Sequence, residues 1–362
     1  MTAASDGLDG IIAAETVLSH VDGEQGRLIF RGHDIEELAG HVSQEAVAAL
    51  LWHGFTDEAA APETISRALG EARVAAFEIG RPLLPAATGL TVTEGLRLLL
   101  AALPDAYPLP HHLLATAAMP VFVAALARTR QDAAAVPPDP ALSQAADFLR
   151  MLRGMPATPD HVAALETYLV TVADHGLNAS TFTARVVAST RADVFSSVVA
   201  ALCALKGPLH GGAPGPVLDM LDAIGNEDQI EPWLEHAISD GDRLMGFGHR
   251  VYRVRDPRAD VLKTVALSLR AGSNRIRFAE AVEAGALRVL TRLKPGRRLD
   301  TNVEFYTALV LEALELPRDL FTPIFAIGRV VGWTAHIMEQ TRAGRIIRPQ
   351  SAYVGPMPKA AA

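Results

Sequence analysis

The sequence has a single cysteine, Cys203, among its 362 residues, so no disulfide can form within one chain. The neighbouring Leu202 and Leu205 are apolar, which predicts a buried structural thiol rather than a nucleophile. A chain without disulfides suits a reducing compartment, and we therefore expect a cytoplasmic protein.

Long apolar runs and a basic excess are also missing. The longest apolar run, residues 113–127, contains Pro120 and is shorter than the roughly 18 residues that a membrane-spanning helix needs. The N-terminal residues lack the basic and apolar regions of a signal peptide, so we expect no membrane association. Lys and Arg total 33 against 41 Asp and Glu, a net charge of −8, which argues against general nucleic-acid binding. An anionic ligand therefore needs a local cluster of Arg and His.

Metal-binding and nucleophile motifs are absent as well. No group of His, Cys, Asp and Glu has zinc or iron spacing, and the adjacent His111 and His112 cannot share one metal from one helix face. Neither a P-loop nor a nucleophile elbow occurs. The sequence therefore predicts no metal site.

Most of the chain shows apolar residues at helical spacing. One helix is predicted after the N-cap candidate Ser43, another after the N-cap candidate Asp160, and a third ending before Pro317. The stretch 11–35 differs, because two short apolar segments flank the turn at residues 21–24. The sequence therefore predicts a mainly α protein with a small N-terminal β-hairpin.

His210 lies in the glycine-rich run GPLHGGAPGP, and an apolar helical period begins at Val217. The positive end of that helix would disfavour an imidazolium at His210. A neutral imidazole there can donate a hydrogen bond to a developing oxyanion. A turn with an incidental histidine explains the same residues, and the spacing alone does not choose between them.

Two further histidines lie in motifs of different strength. His249 lies in MGFGHRVYRVRDPR, whose arginines suit carboxylate or phosphate groups, although a solvated charged loop is the alternative. The Gly-x-Gly-His beginning favours a functional role. His175, in DHGLNAST, follows an apolar helix, where a histidine is often only a charge–dipole contact.

One acid and one arginine stand among apolar residues near the C-terminus. In TNVEFY, apolar neighbours would raise the pKa of Glu304 and suit it as a base near neutral pH. The alternative is an exposed acid in the first turn of the next helix. Arg329 stands in an apolar segment, where a buried charge is costly without an anionic partner.

Together and in this order, these motifs resemble the citrate synthase family. The matching segments are GLDGIIAAET, GRLIFRGHDIEELA, DHGLNASTFTARVVAST, LKGPLHGGAPGPVLDML, MGFGHRVYRVRDPRAD, NVEFY, DLFTPIFAIGRVVGWTAHIMEQ and IIRP. The resemblance implies a helical two-domain fold that works as a homodimer. The large domain would comprise residues 1–212 and 313–362, the small domain residues 213–312, and the cleft between them would close over substrate.

The resemblance also implies roles for individual residues. His210 would stabilise the enol or enolate of the thioester, His249 would bind and protonate the oxaloacetate carbonyl, and Glu304 would deprotonate the acyl-CoA. The residues that match the oxaloacetate ligands are His175, His249, Arg258, Arg329 and Arg348. Those that match positions on the CoA side are Arg253, Gly246 and Asn302. Arg348 would reach the site of the neighbouring subunit.

The implied reaction, a step of the tricarboxylic acid cycle, condenses acetyl-CoA with oxaloacetate and hydrolyses citryl-CoA, without a metal or other cofactor. A 2-methylcitrate synthase that uses propionyl-CoA is the alternative. A catalytically weak paralogue that binds CoA or dicarboxylate is another.

Three departures from the family pattern bear on this prediction. Glu304 stands where Asp is usual, Thr301 where Pro is usual, and Gly176 where Glu is usual. One extra methylene moves a carboxylate by roughly 1 Å, which can cost about 100-fold in rate.

Overall fold

The structure is a computed structural model that describes residues 6–8, 10–56, 61–211, 214–249, 251–269 and 274–358. Within these ranges the chain forms fifteen α-helices and a three-stranded sheet, which confirms the predicted mainly α fold. In chain order the helices are α1 (Ile35–Leu38), α2 (Gln44–Trp52), α3 (Pro62–Gly80), α4 (Val92–Ala101), α5 (His111–Thr129), α6 (Gln144–Arg153), α7 (Pro159–Thr171), α8 (Ala179–Ala188), α9 (Val194–Leu205), α10 (Pro214–Ile224), α11 (Ile230–Ser239), α12 (Pro257–Ser268), α13 (Asn274–Leu293), α14 (Val303–Ala313) and α15 (Phe321–Ala343). Short 3₁₀ helices are Asp6–Leu8, Arg81–Ala87, Glu227–Gln229 and Arg318–Leu320.

The predicted hairpin is present, and a third strand extends it. Strands β1 (Ser19–Asp22), β2 (Arg27–Phe30) and β3 (His33–Asp34) are antiparallel in that order. The β1–β2 turn packs against the chain that follows His249, because the backbone N–H of Arg253 donates to the carbonyl oxygen of Gly23 over 2.8 Å. A side chain at Gly23 would overlap the carbonyl of Val251, so this turn requires glycine.

The core is built around α5 and α15. Both α5 and the segment Arg318–Ala343 are long and apolar enough to cross a membrane, but 83% and 94% of their apolar windows are buried inside the fold. Helix α5 has 19 residues and so extends beyond the apolar run on which the prediction rested. Burial by neighbouring helices, rather than shortness, marks these two as core helices.

Three local predictions have mixed outcomes. Ser43 caps α2, since its hydroxyl accepts from the N–H of Ala46 over 3.1 Å. The prediction that Asp160 caps α7 is wrong. Thr158 is the N-cap, Pro159 occupies the first helical position, and Asp160 lies in the first turn, where its charge favours the helix dipole.

The predicted burial of Cys203 is also wrong, because this thiol is exposed. Leu202 and Leu205 are buried on the core face of α9, and Cys203 points away from that face. The apolar neighbours in the sequence therefore lie on a different face of the helix from Cys203 and do not cover its thiol. The predicted domain boundaries stay a prediction, and the junction at residues 212 and 213 lies outside the described residues.

Helix α15 makes its closest approach to the α7–α8 connection at Gly332. The N–H of Gly332 donates to the carbonyl oxygen of Ala173 over 3.1 Å. An added Cβ would overlap that oxygen and lie 2.8 Å from Oδ1 of Asp174. The fold therefore requires glycine here to bring α15 against the residues just before His175.

We predict that Gly332→Ala lowers the free energy of unfolding by at least the ~1–3 kcal/mol typical of overpacking, because backbone atoms must move apart. Urea unfolding followed by circular dichroism measures this change. Gly296→Ala is the control, since Gly296 is exposed and its added Cβ meets nothing within 4 Å. Equal stability of the two variants would contradict the close approach.

Candidate active site

Two predicted oxaloacetate ligands lie side by side. His175 lies between α7 and α8, His249 lies between α11 and α12, and their ring centroids are 5.5 Å apart in an edge-to-face arrangement. Burial and then the charge of Arg258 lower the pKa of His249 to about 4 and hold the pKa of His175 well below its usual value. Both imidazoles are therefore neutral near pH 7.

The tautomer of His249 follows from its backbone contacts. Its Nδ1 accepts from the N–H of Val251 over 3.0 Å and from the N–H of Tyr252 over 3.1 Å. A nitrogen that accepts hydrogen bonds carries no proton in the neutral ring, so the proton is on Nε2. His249 can therefore donate a hydrogen bond from Nε2.

The predicted ligand Arg258 is held by Asp256, which sequence reasoning missed as a site residue. Asp256 caps α12, and its carboxylate accepts from Nε of Arg258 over 3.0 Å and from Nη2 over 2.8 Å. The same carboxylate accepts from the N–H of Val303, the first residue of α14, over 3.2 Å. The guanidinium is thus fixed by one edge.

Arg329 is buried in α15, as its apolar neighbours suggested. Its Nε donates to the carbonyl oxygen of Val172 over 2.6 Å, and the guanidinium carbon lies 4.8 Å from the ring centroid of Phe325. The pKa of Arg329 is lowered to about 10, because burial and the charge of Arg258 outweigh the opposing charge of Asp174. Two buried cations close enough to repel each other favour an anionic ligand between them.

Glu304 lies in the first turn of α14 and is half-buried. Its pKa is raised to about 7, because burial and the charge of Asp256 outweigh the opposing charges of Arg258 and Arg329. Both interpretations of the sequence are therefore partly right: the acid is in an N-terminal turn, but its environment gives it the pKa of a base that works near neutrality.

Asn302 links the helix of Glu304 to the loop of His249. Its Oδ1 accepts from the N–H of Glu304 over 3.0 Å, and its Nδ2 donates to the carbonyl oxygen of Gly248 over 2.8 Å. Its own N–H donates to the carbonyl oxygen of Gly246 over 2.9 Å. Gly246 has φ +86°, and a Cβ there would lie 2.9 Å from that of Phe305. Both residues therefore hold the loop in place.

A buried carboxylate that the sequence did not reveal anchors the start of this loop. Glu283 of α13 accepts from the hydroxyls of Thr301 (2.7 Å) and Tyr306 (2.6 Å), and also binds Arg255 and Lys263. These donors outweigh the effect of burial and lower the pKa of Glu283 to about 2. Thr301 thus gives the loop a side-chain anchor that proline lacks.

His210 lies near Arg329, because its ring centroid is 6.3 Å from that of Phe325, whose ring the Arg329 guanidinium also contacts. Burial and then the charge of Arg329 lower the pKa of His210 to about 4, so its imidazole is neutral near pH 7, as predicted. The prediction rested on the dipole of the following helix, whereas burial is the main cause. Nε2 of His210 lies 2.8 Å from Oγ of Ser180, which also accepts from Nε1 of Trp333 over 3.1 Å. Ser180 lies in the DHGLNAST motif but carried no signal of its own.

The remaining predicted ligands lie on the surface. Arg253 is exposed beside the hairpin, and Arg348 is exposed in the extended segment after α15. Neither is brought into the group formed by the histidines, the buried arginines and Glu304. A cavity of about 370 Å³ next to the loop is lined by Arg297, Arg298 and Asp300, among others.

The geometry defines a class of site. Neutral imidazoles can donate hydrogen bonds, two buried guanidinium groups can bind an anion, and a carboxyl group that titrates near neutrality can take a proton from carbon. Among the described residues no cluster of His, Cys, Asp and Glu could hold a metal ion.

Comparison with known proteins places this site in a family. The model of "Citrate synthase, C-terminal domain" matches residues 7–350. The citrate synthase of Haloferax volcanii is 38% identical over an alignment of 379 positions that covers 96% of this chain and 95% of that protein. The crystal structure of citrate synthase from Thermotoga maritima MSB8 superposes with a TM-score of 0.87 at 34% identity, covering 98% of this chain and 97% of that one.

A ternary complex of Thermoplasma acidophilum citrate synthase with carboxymethyl coenzyme A and oxaloacetate superposes with a TM-score of 0.88 at 28% identity, covering 99% of this chain and 98% of that one. The chain belongs to the citrate synthase family of acyl-transferring enzymes. This confirms the family that the ordered motifs predicted.

The raised pKa of Glu304 links this site to stability. The folded state favours the protonated carboxyl of Glu304. The contribution of this group to the free energy of unfolding is therefore fully present below its ordinary pKa of 4.5 and is lost as the pH rises through about 7. We predict that Glu304→Gln becomes more stable relative to the unmodified protein as the pH rises from 4.5 to 7, and urea unfolding across that range measures the difference. Glu71→Gln, on the exposed surface of α3, should show no such trend. A constant difference for Glu304→Gln would contradict the raised pKa.

Proposed function

We propose that this protein condenses acetyl-CoA with oxaloacetate to give citrate and CoA. One observation carries the proposal: neutral His210 and His249 and a Glu304 carboxyl of pKa about 7 are grouped with the buried cations Arg258 and Arg329. Condensation of a thioester with a 2-oxo dicarboxylate needs a base, two hydrogen-bond donors and a site for carboxylates.

Glu304 removes a proton from the methyl carbon of the thioester, and an N–H of His210 stabilises the enolate oxygen. A base whose pKa lies near the working pH combines a high ionised fraction with useful proton affinity. Hydrogen-bond donors held in a water-poor site stabilise the developing oxyanion strongly. Oγ of Ser180 lies 2.8 Å from Nε2 of His210 and 2.8 Å from Oδ1 of Asn178, so its single hydrogen serves one of these two acceptors at a time. Donation to Nε2 leaves the proton of His210 on Nδ1.

The enolate carbon then attacks the carbonyl carbon of oxaloacetate. Nε2–H of His249 donates to the carbonyl oxygen, which becomes the hydroxyl of citryl-CoA. Water hydrolyses the thioester of that intermediate and releases CoA and citrate. The carboxylates of oxaloacetate bind to His175, Arg258, Arg329 and, from the neighbouring subunit, Arg348.

CoA is proposed to lie along the loop that holds Gly246 and Asn302, with Arg253 as a contact to its phosphates. Arg253 is exposed and so open to an anionic ligand. The side-chain amide of Asn302 is committed to two protein contacts, so Asn302 contributes through the shape of the loop. No metal or further cofactor is needed for these steps.

Propionyl-CoA is the competing substrate, which would make the protein a 2-methylcitrate synthase. One methyl group is worth roughly 1–3 kcal/mol of discrimination. The longer side chain of Glu304 in place of Asp supports the third alternative, a catalytically weak protein that binds CoA or dicarboxylate. Comparing kcat/KM for acetyl-CoA and propionyl-CoA with oxaloacetate decides among the three.

We predict release of the CoA thiol from acetyl-CoA and oxaloacetate by the purified protein, and a loss of at least 100-fold in kcat for His210→Ala, because removing one oxyanion donor costs about that much. Calorimetry should still detect oxaloacetate binding to the variant. His236→Ala is the control, since His236 is exposed on α11. Equal losses of binding and turnover in His210→Ala would contradict the role given to His210.

We also propose a homodimer in the cytoplasm. The two terminal segments expose large apolar side chains, with Ile12 88% and Val354 96% exposed, which supports burial against a second copy. Arg348 lies in the same C-terminal segment as Val354 and is exposed, so it is available to a neighbouring site.

A mixing experiment tests this arrangement. Arg348→Ala and His249→Ala should each be inactive alone, but after subunit exchange part of the activity should return, because one site of each mixed dimer is complete. Enzyme assays before and after exchange measure it, and exchange itself is verified with tagged subunits. Absence of recovery after verified exchange would show that Arg348 does not complete a partner's site.

A further inference from the structure

Tyr252 contacts three of the side chains proposed to bind oxaloacetate, although nothing in the sequence motif assigns it a role. Its hydroxyl oxygen lies 3.3 Å from Nε2 of His175. The Tyr252 ring centroid lies 4.8 Å from that of His249 and 5.9 Å from the guanidinium carbon of Arg258. The side chain is almost fully buried, with 2% exposed, so water competes little for these contacts.

We propose that Tyr252 is a positioning residue whose hydroxyl donates to Nε2 of His175 and so keeps the proton of that imidazole on Nδ1, as a donor to bound oxaloacetate. The inference rests on the proposed function, because it assigns His175 to the dicarboxylate. It adds a residue that sets which nitrogen of His175 recognises the substrate.

The direction of the hydrogen bond follows from what each group can offer. A neutral imidazole has one N–H and one lone pair, and a phenol has one O–H. Burial raises the pKa of Tyr252, so the phenol keeps its hydrogen. If Nε2 of His175 donated instead, the buried phenol hydrogen and the Nδ1 lone pair would both lack a partner among the described residues. Donation from the phenol leaves only Nδ1–H without a protein partner, and it does so on the half-buried imidazole, where a ligand can accept from it.

The same residue also sets the tautomer of the second histidine. The backbone N–H of Tyr252 donates to Nδ1 of His249 over 3.1 Å, which leaves the proton on Nε2. The phenol and the backbone of one residue therefore give two adjacent imidazoles opposite tautomers. Within the described residues no protein acceptor is recorded for Nδ1 of His175 or Nε2 of His249, so both N–H groups are available to an anionic ligand.

The test uses Tyr252→Phe, which removes only the hydroxyl, and Tyr107→Phe as a matched control, since Tyr107 packs beside the core away from the site. Nitrogen-15 NMR of protein labelled in histidine, with His175 assigned from the spectrum of His175→Gln, reports which nitrogen is protonated. We expect the Nδ1–H tautomer in the unmodified protein and a shift toward the Nε2–H tautomer in Tyr252→Phe. The control should leave the His175 signals unchanged.

Kinetics give a second readout that a general loss of packing would not reproduce. The KM for oxaloacetate should rise about tenfold in Tyr252→Phe, as expected for one weakened hydrogen bond, whereas the KM for acetyl-CoA should stay unchanged. Equal increases in both KM values would overturn a role that acts through His175.

The spectrum of the unmodified protein decides the inference even if the variant fails to fold. An Nε2–H tautomer of His175 there would overturn the proposal, and so would an unchanged tautomer in folded Tyr252→Phe. If the unmodified protein shows no turnover, the proposed function fails, but the NMR result still tests the contact between Tyr252 and His175.

Discussion

The arrangement of this site depends on the buried carboxylate of Asp256. It holds the guanidinium of Arg258 by two nitrogens and also accepts from the N–H of Val303, where the helix of Glu304 begins. The proposed oxaloacetate ligand and the proposed base are thereby fixed to one acid. Loss of that acid would leave the charge of Arg258 buried and unpaired, which is far more costly than the pair itself is favourable.

The buried positive charge also sets the protonation states around it. Burial is the main reason that His175 and His210 stay neutral, and positive charge adds to it: Arg258 and Arg329 lower the pKa of His175, and Arg329 lowers that of His210. Both imidazoles can therefore donate hydrogen bonds to an anion. The same arginines limit the rise in the pKa of Glu304 that burial causes, and the balance lies near neutrality. One pair of cations thus favours an anionic substrate, neutral donors and a usable base at the same time.

Local chemistry could be predicted from the sequence, and contacts between distant segments could not. The cap at Ser43 and the hairpin follow from short patterns, whereas Asp160 was mistaken for a cap because Thr158 and Pro159 before it make a better helix start. The motifs marked His210, His249 and Glu304, but Glu283 lies 18 residues from Thr301, with no spacing to connect them. Likewise, which face of α9 carries Cys203 depends on the helices that cover it.

Two departures from the family pattern, Thr301 and Glu304, lie on either side of the N-cap of α14, Asn302. Thr301 anchors the loop through its hydroxyl to Glu283, whose charge is held by three further donors, and pairs with Phe247 as an isolated bridge. Glu304 extends from the other end of that short turn, which Asn302 caps. A proline at position 301 would have no hydroxyl to donate to Glu283. The backbone of this turn is therefore anchored differently with threonine than it would be with proline. The anchor at Thr301 and the longer side chain of Glu304 therefore lie in the same turn. The position of the Glu304 carboxylate depends on the backbone of that turn as well as on the length of the side chain.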